Sequence, residues 1–200
     1  MFARVNNVTG AKDIDAGVAF LRDKVVPEIQ GQKGFRGLTV SGNRSTGEVG
    51  ILGLWATLED LEASGSTVSK LRKEAMDVLG GEVTLATMEQ LVAEVTQPQD
   101  MVGRPLRIVR VTMDPAKVEE HIAFFRSDVL PGLKATAGFL AVRNLVDRKT
   151  GNGNVGTIWT DEDSMRANEA TAEERRQLAL ARGVEISEPN YRTILLSHLV

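Results

Sequence analysis

The 200-residue sequence predicts an α+β fold of two tandem ferredoxin-like (βαββαβ) units, and three observations carry that prediction. The first is an internal repeat. Phe20, Arg22, Val25, Pro27, Gly34, Phe35, Arg44, Thr46, Gly47 and Trp55 recur as Phe124, Arg126, Val129, Pro131, Gly138, Phe139, Arg148, Thr150, Gly151 and Trp159, each displaced by 104 positions (131 − 27 = 104). A fixed period in two copies indicates one domain duplicated and fused, since a solenoid needs at least three repeats. The second observation is the same strand and helix patterning in each copy. The third is the polar stretch between them, Thr96 to Pro105, with two prolines and a glycine. The expected units are residues 1–95 and 106–200, joined by a linker over 96–105.

Phe2 to Val8 is rich in β-formers and reads as a strand broken by Gly10. Ile14, Val18, Leu21 and Val25 then step by about one helical turn, with Asp13 or Asp15 near the positively polarised N-terminus. Pro27 lies close to the end of that helix, and Gly31 and Gly34 finish the stop. Phe35 to Ser41 and Glu48 to Ala56 form a hairpin around Asn43-Arg44-Ser45-Thr46-Gly47, where glycine can take a positive φ. Thr57, three residues before Asp60, marks the cap of a second helix, kinked near Gly65 and ended by Gly80-Gly81. Met88 to Val95 is the fourth strand.

The second copy follows the same plan. Leu106 to Thr112 is a strand, and Asp114-Pro115 is an N-cap followed by a first-turn proline. Phe139 to Asp147 and Val155 to Thr160 are the hairpin, Asp161 to Arg182 is a charged helix, and Tyr191 to Leu199 closes the sheet. Apolar residues alternate onto both faces of each sheet. The short linker holds the copies at an effective concentration on the order of millimolar, so the two sheets are expected to pack as an intrachain pseudo-dimer.

Composition narrows the function. With 24 basic and 27 acidic residues scattered along the chain, there is no basic stripe for a phosphate backbone, so nucleic acid is not an expected partner. The absence of cysteine removes thiolate metal sites, Fe-S clusters and thiol nucleophiles. No apolar run suits a signal peptide or a membrane span, so the expectation is a soluble cytoplasmic protein with no membrane partner.

The stretches Val25-Val26-Pro27, Gly34-Phe35-Arg36-Gly37, Asn43-Arg44-Ser45-Thr46-Gly47 and Leu54-Trp55 are matched by Val129-Leu130-Pro131, Gly138-Phe139, Asp147-Arg148-Lys149-Thr150-Gly151 and Ile158-Trp159. Together they resemble the antibiotic biosynthesis monooxygenase family of dimeric α+β barrels. The resemblance implies an intrachain α+β barrel with a pocket in each unit between sheet and helices, near the third-strand tryptophan. It also implies either a cofactor-independent monooxygenase acting on a small aromatic or polyketide-like molecule, or a binding or stress-related protein without turnover. A haem-binding or haem-degrading protein is the lesser alternative. That branch uses a histidine where this chain reads Ala63-Ser64-Gly65 and Ala167-Asn168-Glu169, so no cofactor is expected.

On this reading the catalytic candidates are Asn6 or Asn7, donating to a substrate oxygen, Trp55, stacking on the substrate, and Arg22, stabilising the anion that meets O₂. Trp159, Arg126 and His121 are the candidate substrate contacts in the second unit, where residue-for-residue alignment puts Arg110 and Val111 at the positions of Asn6 and Asn7. Each has a structural alternative: core tryptophans, strand-end asparagines, and arginines whose stems cover neighbouring apolar surface. His121 and His198 lack a partner at the spacing of a triad or metal site, and no phosphate loop follows a strand. The expected partner is therefore a small hydrophobic or aromatic molecule, with room for a homodimer of the fused chain.

Overall fold

A computed structural model describes residues 1–96 and 100–200. The chain divides into two compact units, one formed by residues 1–87 with 193–200 and the other by residues 88–192. The class is α+β, with each unit a ferredoxin-like sheet and helices.

In the first unit β1 (Phe2–Thr9) lies antiparallel to β3 (Glu48–Trp55), which in turn pairs with β2 (Phe35–Asn43). The hairpin turns where expected, and Gly47 takes φ +69°. The helical layer is α1 (Ile14–Phe20), α2 (Val26–Ile29), α3 (Leu58–Ala63) and α4 (Gly65–Leu79). Asp13 caps α1 by accepting from Ala16 N–H at 2.9 Å, and Thr57 caps α3 by accepting from Asp60 N–H at 3.1 Å. The break between α3 and α4 falls at Ser64, whose hydroxyl bonds back to the Leu61 carbonyl at 2.7 Å.

The second unit repeats this with β5 (Pro105–Thr112), β6 (Phe139–Val146) and β7 (Asn152–Trp159). Its helices are α5 (Val118–Phe124), α6 (Leu130–Ala135), α7 (Glu162–Ala167) and α8 (Glu169–Leu180). Asp114 and Asp161 are the caps, accepting from Ala116 and Ser164 N–H at 2.9 and 2.7 Å. The single charged helix expected over Asp161 to Arg182 is broken at Asn168, as its counterpart is broken at Ser64. The linker expected over 96–105 falls partly on 97–99, outside the described residues.

The first helix of the first unit ends just past Pro27, as expected, and in each unit a π turn (Leu21–Val25, and Phe125–Val129) that the periodicity does not reveal lies just ahead of the proline. Val26 N–H bonds to Leu21 O, and Leu130 N–H to Phe125 O, one residue further back than an α-helix allows. Proline has no N–H and its ring crowds the carbonyl four residues earlier, so the wider turn gives it room. Leu21, Val25, Phe125 and Val129 are thereby turned toward the sheet.

The fourth strands also differ. The strand expected over Met88 to Val95 is β4, Glu82–Val95, six residues longer, and from Met88 onward it belongs to the second unit, with Glu89 opposite Val146 of β6. The strand expected over Tyr191 to Leu199 is β9, Asn190–Leu199, and from Thr193 onward it belongs to the first unit, with Leu199 opposite Gly37 of β2. A short pair, β8 (Glu185–Ile186), lies along β5. Alternation identifies a strand without naming its partner, and the open edges of β2 and β6 take up these two ends.

Each unit has its own core between sheet and helices. Val8, Val40, Val49, Trp55, Leu71 and Leu79 are almost fully buried in the first, as are Val111, Val118, Val146 and Trp159 in the second. Burial of each such side chain contributes about 1.5–3 kcal/mol. Among the described residues, no helix is long and apolar enough to cross a membrane.

Candidate functional site

The space between sheet and helices is used differently in the two units. In the first it shrinks to about 50 Å³, bounded by Arg4, Asn6, Leu38, Ile51, Trp55 and Leu71 among others. In the second it is a cavity of about 380 Å³, within the range of small-molecule sites. Three paired positions account for the difference. Gly53 lets the Trp55 ring lie across it, for a Cβ there would meet the ring at 2.6 Å. Its counterpart is Thr157, whose hydroxyl accepts from Trp159 Nε1 at 3.0 Å, and Trp159 stays outside the cavity lining. Gly17 leaves room for Leu79, 2.2 Å from where a Cβ would sit, whereas the counterpart of Gly17 is His121. Leu71 fills the first core, and its counterpart in α8 is Arg175.

Strand register identifies a fourth pair. Asn6 lies opposite Ile51, and Val109 lies opposite Val155, the counterpart of Ile51, so β5 runs one residue out of step with the 104-residue repeat. The counterpart of Asn6 is therefore Val109, not Arg110, and Arg4 corresponds to Arg107. Arg4 is consumed inside its unit: Nη2 donates to Leu61 O at 2.8 Å, Nη1 reaches Ser64 Oγ at 3.4 Å, and the guanidinium lies 5.2 Å from the Trp55 ring centroid. Arg107 has none of these. It lines the large cavity, and its Nε is buried without a hydrogen-bond partner.

The large cavity has apolar walls from Val109, Val111, Phe124, Phe125, Val129 and Val155. Polar residues, three arginines and three glutamates among them, make up nearly half of its lining. His121 is buried on α5, with Nε2 2.9 Å from Asn144 Nδ2 and Nδ1 unpartnered. With the amide donating, Nε2 accepts and Nδ1 carries the hydrogen. Burial pushes the imidazole below its ordinary 6.5, so it is neutral at pH 7. Arg175 donates to Asn168 Oδ1 at 2.5 Å, and desolvation and then the Arg107 charge lower its pKa. Tyr191 donates to Glu169 at 2.6 Å; burial and that carboxylate raise it, while Arg107 pulls it back. Exposed Glu169, Glu173 and Glu188 mark the mouth.

The folded His121 pKa lies below the unfolded value, so its contribution to stability is fully present above about 6.5 and is lost as pH falls through the depressed value. Urea midpoints measured from pH 7.5 to 5 should fall for the wild type, and His121→Gln should flatten that part of the profile. An identical slope in both proteins would remove His121 as the cause.

The sequence candidates are dispersed. Asn6 and Trp55 line the small cavity; Asn6 Nδ2 donates to Ile51 O at 3.2 Å, and Trp55 Nε1 has no partner. Asn7 is outside that lining and faces Thr84, which donates to its carbonyl. Arg22, expected beside Trp55, is exposed and forms two hydrogen bonds to Asp23 at 2.7 and 2.8 Å, because the π turn points it to solvent. Arg126 is likewise exposed and donates to Leu91 O at 3.3 Å. His198 stacks on Phe35 at 6.3 Å in the first unit. Only His121 lines the large cavity. Arg107, Arg175, Asn144 and Thr157 were missed, although aligned differences such as Leu71 against Arg175 were visible in the repeat.

Nε2 of His121, the nitrogen that projects from the backbone, is engaged by Asn144, and among the described residues no group of three or more His, Cys, Asp or Glu could hold a metal.

These units have the fold of the ferredoxin-like proteins related to antibiotic biosynthesis monooxygenases. One such protein from Listeria monocytogenes superposes with a TM-score of 0.56 at 10% identity, over 98% of this chain and 95% of its own. A candidate monooxygenase from Lactobacillus acidophilus gives 0.71 at 8% identity, over 99% and 95% of the two chains, and an anthrone oxidase-like protein 0.68 at 15%, over 99% and 92%. No family model matches the sequence. By sequence, the chain is 27% identical over its whole length to the uncharacterized protein Rv2557 of Mycobacterium tuberculosis, covering 89% of that protein.

Proposed function

We propose that the second unit's cavity binds a small aromatic molecule with an acidic hydroxyl or enolisable carbonyl and promotes its cofactor-independent oxygenation. The observation that carries this is the combination of a roughly 380 Å³ cavity with apolar walls on one side and two buried donor atoms that lack partners, His121 Nδ1 and Arg107 Nε. Buried donors left unpaired are costly, and a ligand oxyanion would satisfy both. The fold's likeness to an anthrone oxidase-like protein supports the same chemistry.

In this reading a CH₂ group beside the ring carbonyl loses a proton to water at the cavity mouth, and His121 and Arg107 stabilise the enolate oxygen. The enolate carbon bonds to O₂, and the hydroperoxide loses water to leave a ketone, so CH₂ plus O₂ becomes C=O plus H₂O. The apolar walls keep bulk water from quenching the anion. Asn6 and Trp55 serve the packing of the first unit.

Oxygen uptake with an anthrone and naphthol panel tests the proposal. The wild type should consume one O₂ per anthrone, and His121→Leu should lower the rate on the order of a hundredfold, the typical cost of losing one oxyanion donor. Uptake no faster than the uncatalysed reaction would end the enzymatic reading. A second reading, binding without turnover, is favoured by the tautomer at Asn144, which offers the cavity a donor and no base. Saturable binding with no oxygen uptake would select it.

A further inference from the structure

We infer that the ligand of the second unit carries a single-charge oxyanion, a carboxylate, gripped by Arg107 and Arg175; this rests on the site proposed above. Arg107 and Arg175 both line the cavity, close enough for the Arg107 charge to lower the Arg175 pKa, while the third lining arginine, Arg176, is paired with Glu173 and Glu188. Among the described residues, no ion pair joins either of them to a carboxylate. The nearby acids are engaged elsewhere: Glu169 accepts from Tyr191, Glu188 from Arg176 at 2.9 Å, and Glu173 from Gln177 at 2.6 Å.

The first unit supplies the internal control. There the same strand arginine, Arg4, is satisfied by Leu61 O, Ser64 Oγ and the Trp55 face, and a leucine, Leu71, stands where the second unit has Arg175. In the second unit Asn168, the counterpart of Ser64, takes Arg175 instead, and Trp159 bonds to Thr157. Both alterations free Arg107 from the partners that hold Arg4, leaving it in the cavity lining beside Tyr191, to which it hydrogen-bonds, and a second cation is added next to it. Like charges brought together in an apolar pocket are tolerated where an anion joins them. At the mouth Arg176 is paired with Glu173 and Glu188, leaving Glu169 to offset part of the positive charge of Arg107 and Arg175, which suits a monoanion on an apolar body. Its planar two-oxygen end matches the guanidinium fork.

Calorimetric titration with 1-naphthoate and its neutral analogue 1-naphthalenemethanol separates this inference from the site itself. For the wild type, naphthoate should bind at least about tenfold more tightly, with an affinity that falls as salt rises. Arg107→Gln and Arg175→Gln should each remove that preference, and Arg107→Lys should restore part of it. Equal affinity for the two probes on the wild type, which needs no variant to fold, would overturn the carboxylate while leaving the aromatic site standing. If neither probe binds, the site and this inference fall together.

Discussion

Ala172→Trp should abolish ligand binding in the second unit without unfolding it. Ala172 lies on α8 along the cavity lining and is only half-buried, so an indole there can occupy the space without displacing packed core. A side chain of that size takes up much of a cavity of about 380 Å³, as Trp55 does in the first unit. The expected result is a loss of affinity on the order of a hundredfold or more for any aromatic probe that binds the wild type, with little change in the urea midpoint, since filling a void adds contacts. The mirror substitution in the first unit, Val68→Trp, has no such void to enter and should destabilise by about 1–3 kcal/mol. Retained binding in Ala172→Trp would place the ligand elsewhere.

Trp55→Ala should be among the most destabilising single substitutions, costing about 3–5 kcal/mol in equilibrium unfolding. Its ring is 1% exposed, meets Phe35 edge-on at 5.8 Å and supports the Arg4 guanidinium. Removing it deletes those contacts and leaves a cavity over Gly53. Binding in the second unit should survive wherever the variant remains folded, which separates the packing role of this tryptophan from substrate stacking. If Trp55→Ala instead folds well and loses binding, the working pocket is in the first unit.

Much of this architecture was legible in local pattern. The repeat, the hairpins around Gly47 and Gly151 and the caps at Thr57 and Asp114 depend on residues within a turn or two of one another. Gly151, at φ +73°, shows why: a Cβ there would lie 1.8 Å from the Met113 carbonyl oxygen, and the repeat preserves the glycine. The candidate site was far less legible. Arg22 and Arg126 stand out because they repeat, yet both are on the solvent side of their π turns. The informative residues were those that break the repeat, and the one-residue offset in β5 disguised Arg107 as the counterpart of a neighbouring position.

The sequence by itself therefore determined the 104-residue repeat, the order of most strands and helices, and the positions of their turns and several caps, because these follow from periodicity and backbone preference over short spans. Only the tertiary structure decided which edges β4 and β9 pair with and which cavity stays open. Pairing depends on which strand edges remain free once the rest of the chain has packed. The open cavity depends on what three side chains meet across it: Thr157 holding Trp159 aside, His121 standing where a glycine admits Leu79, and Arg175 where a leucine fills the core.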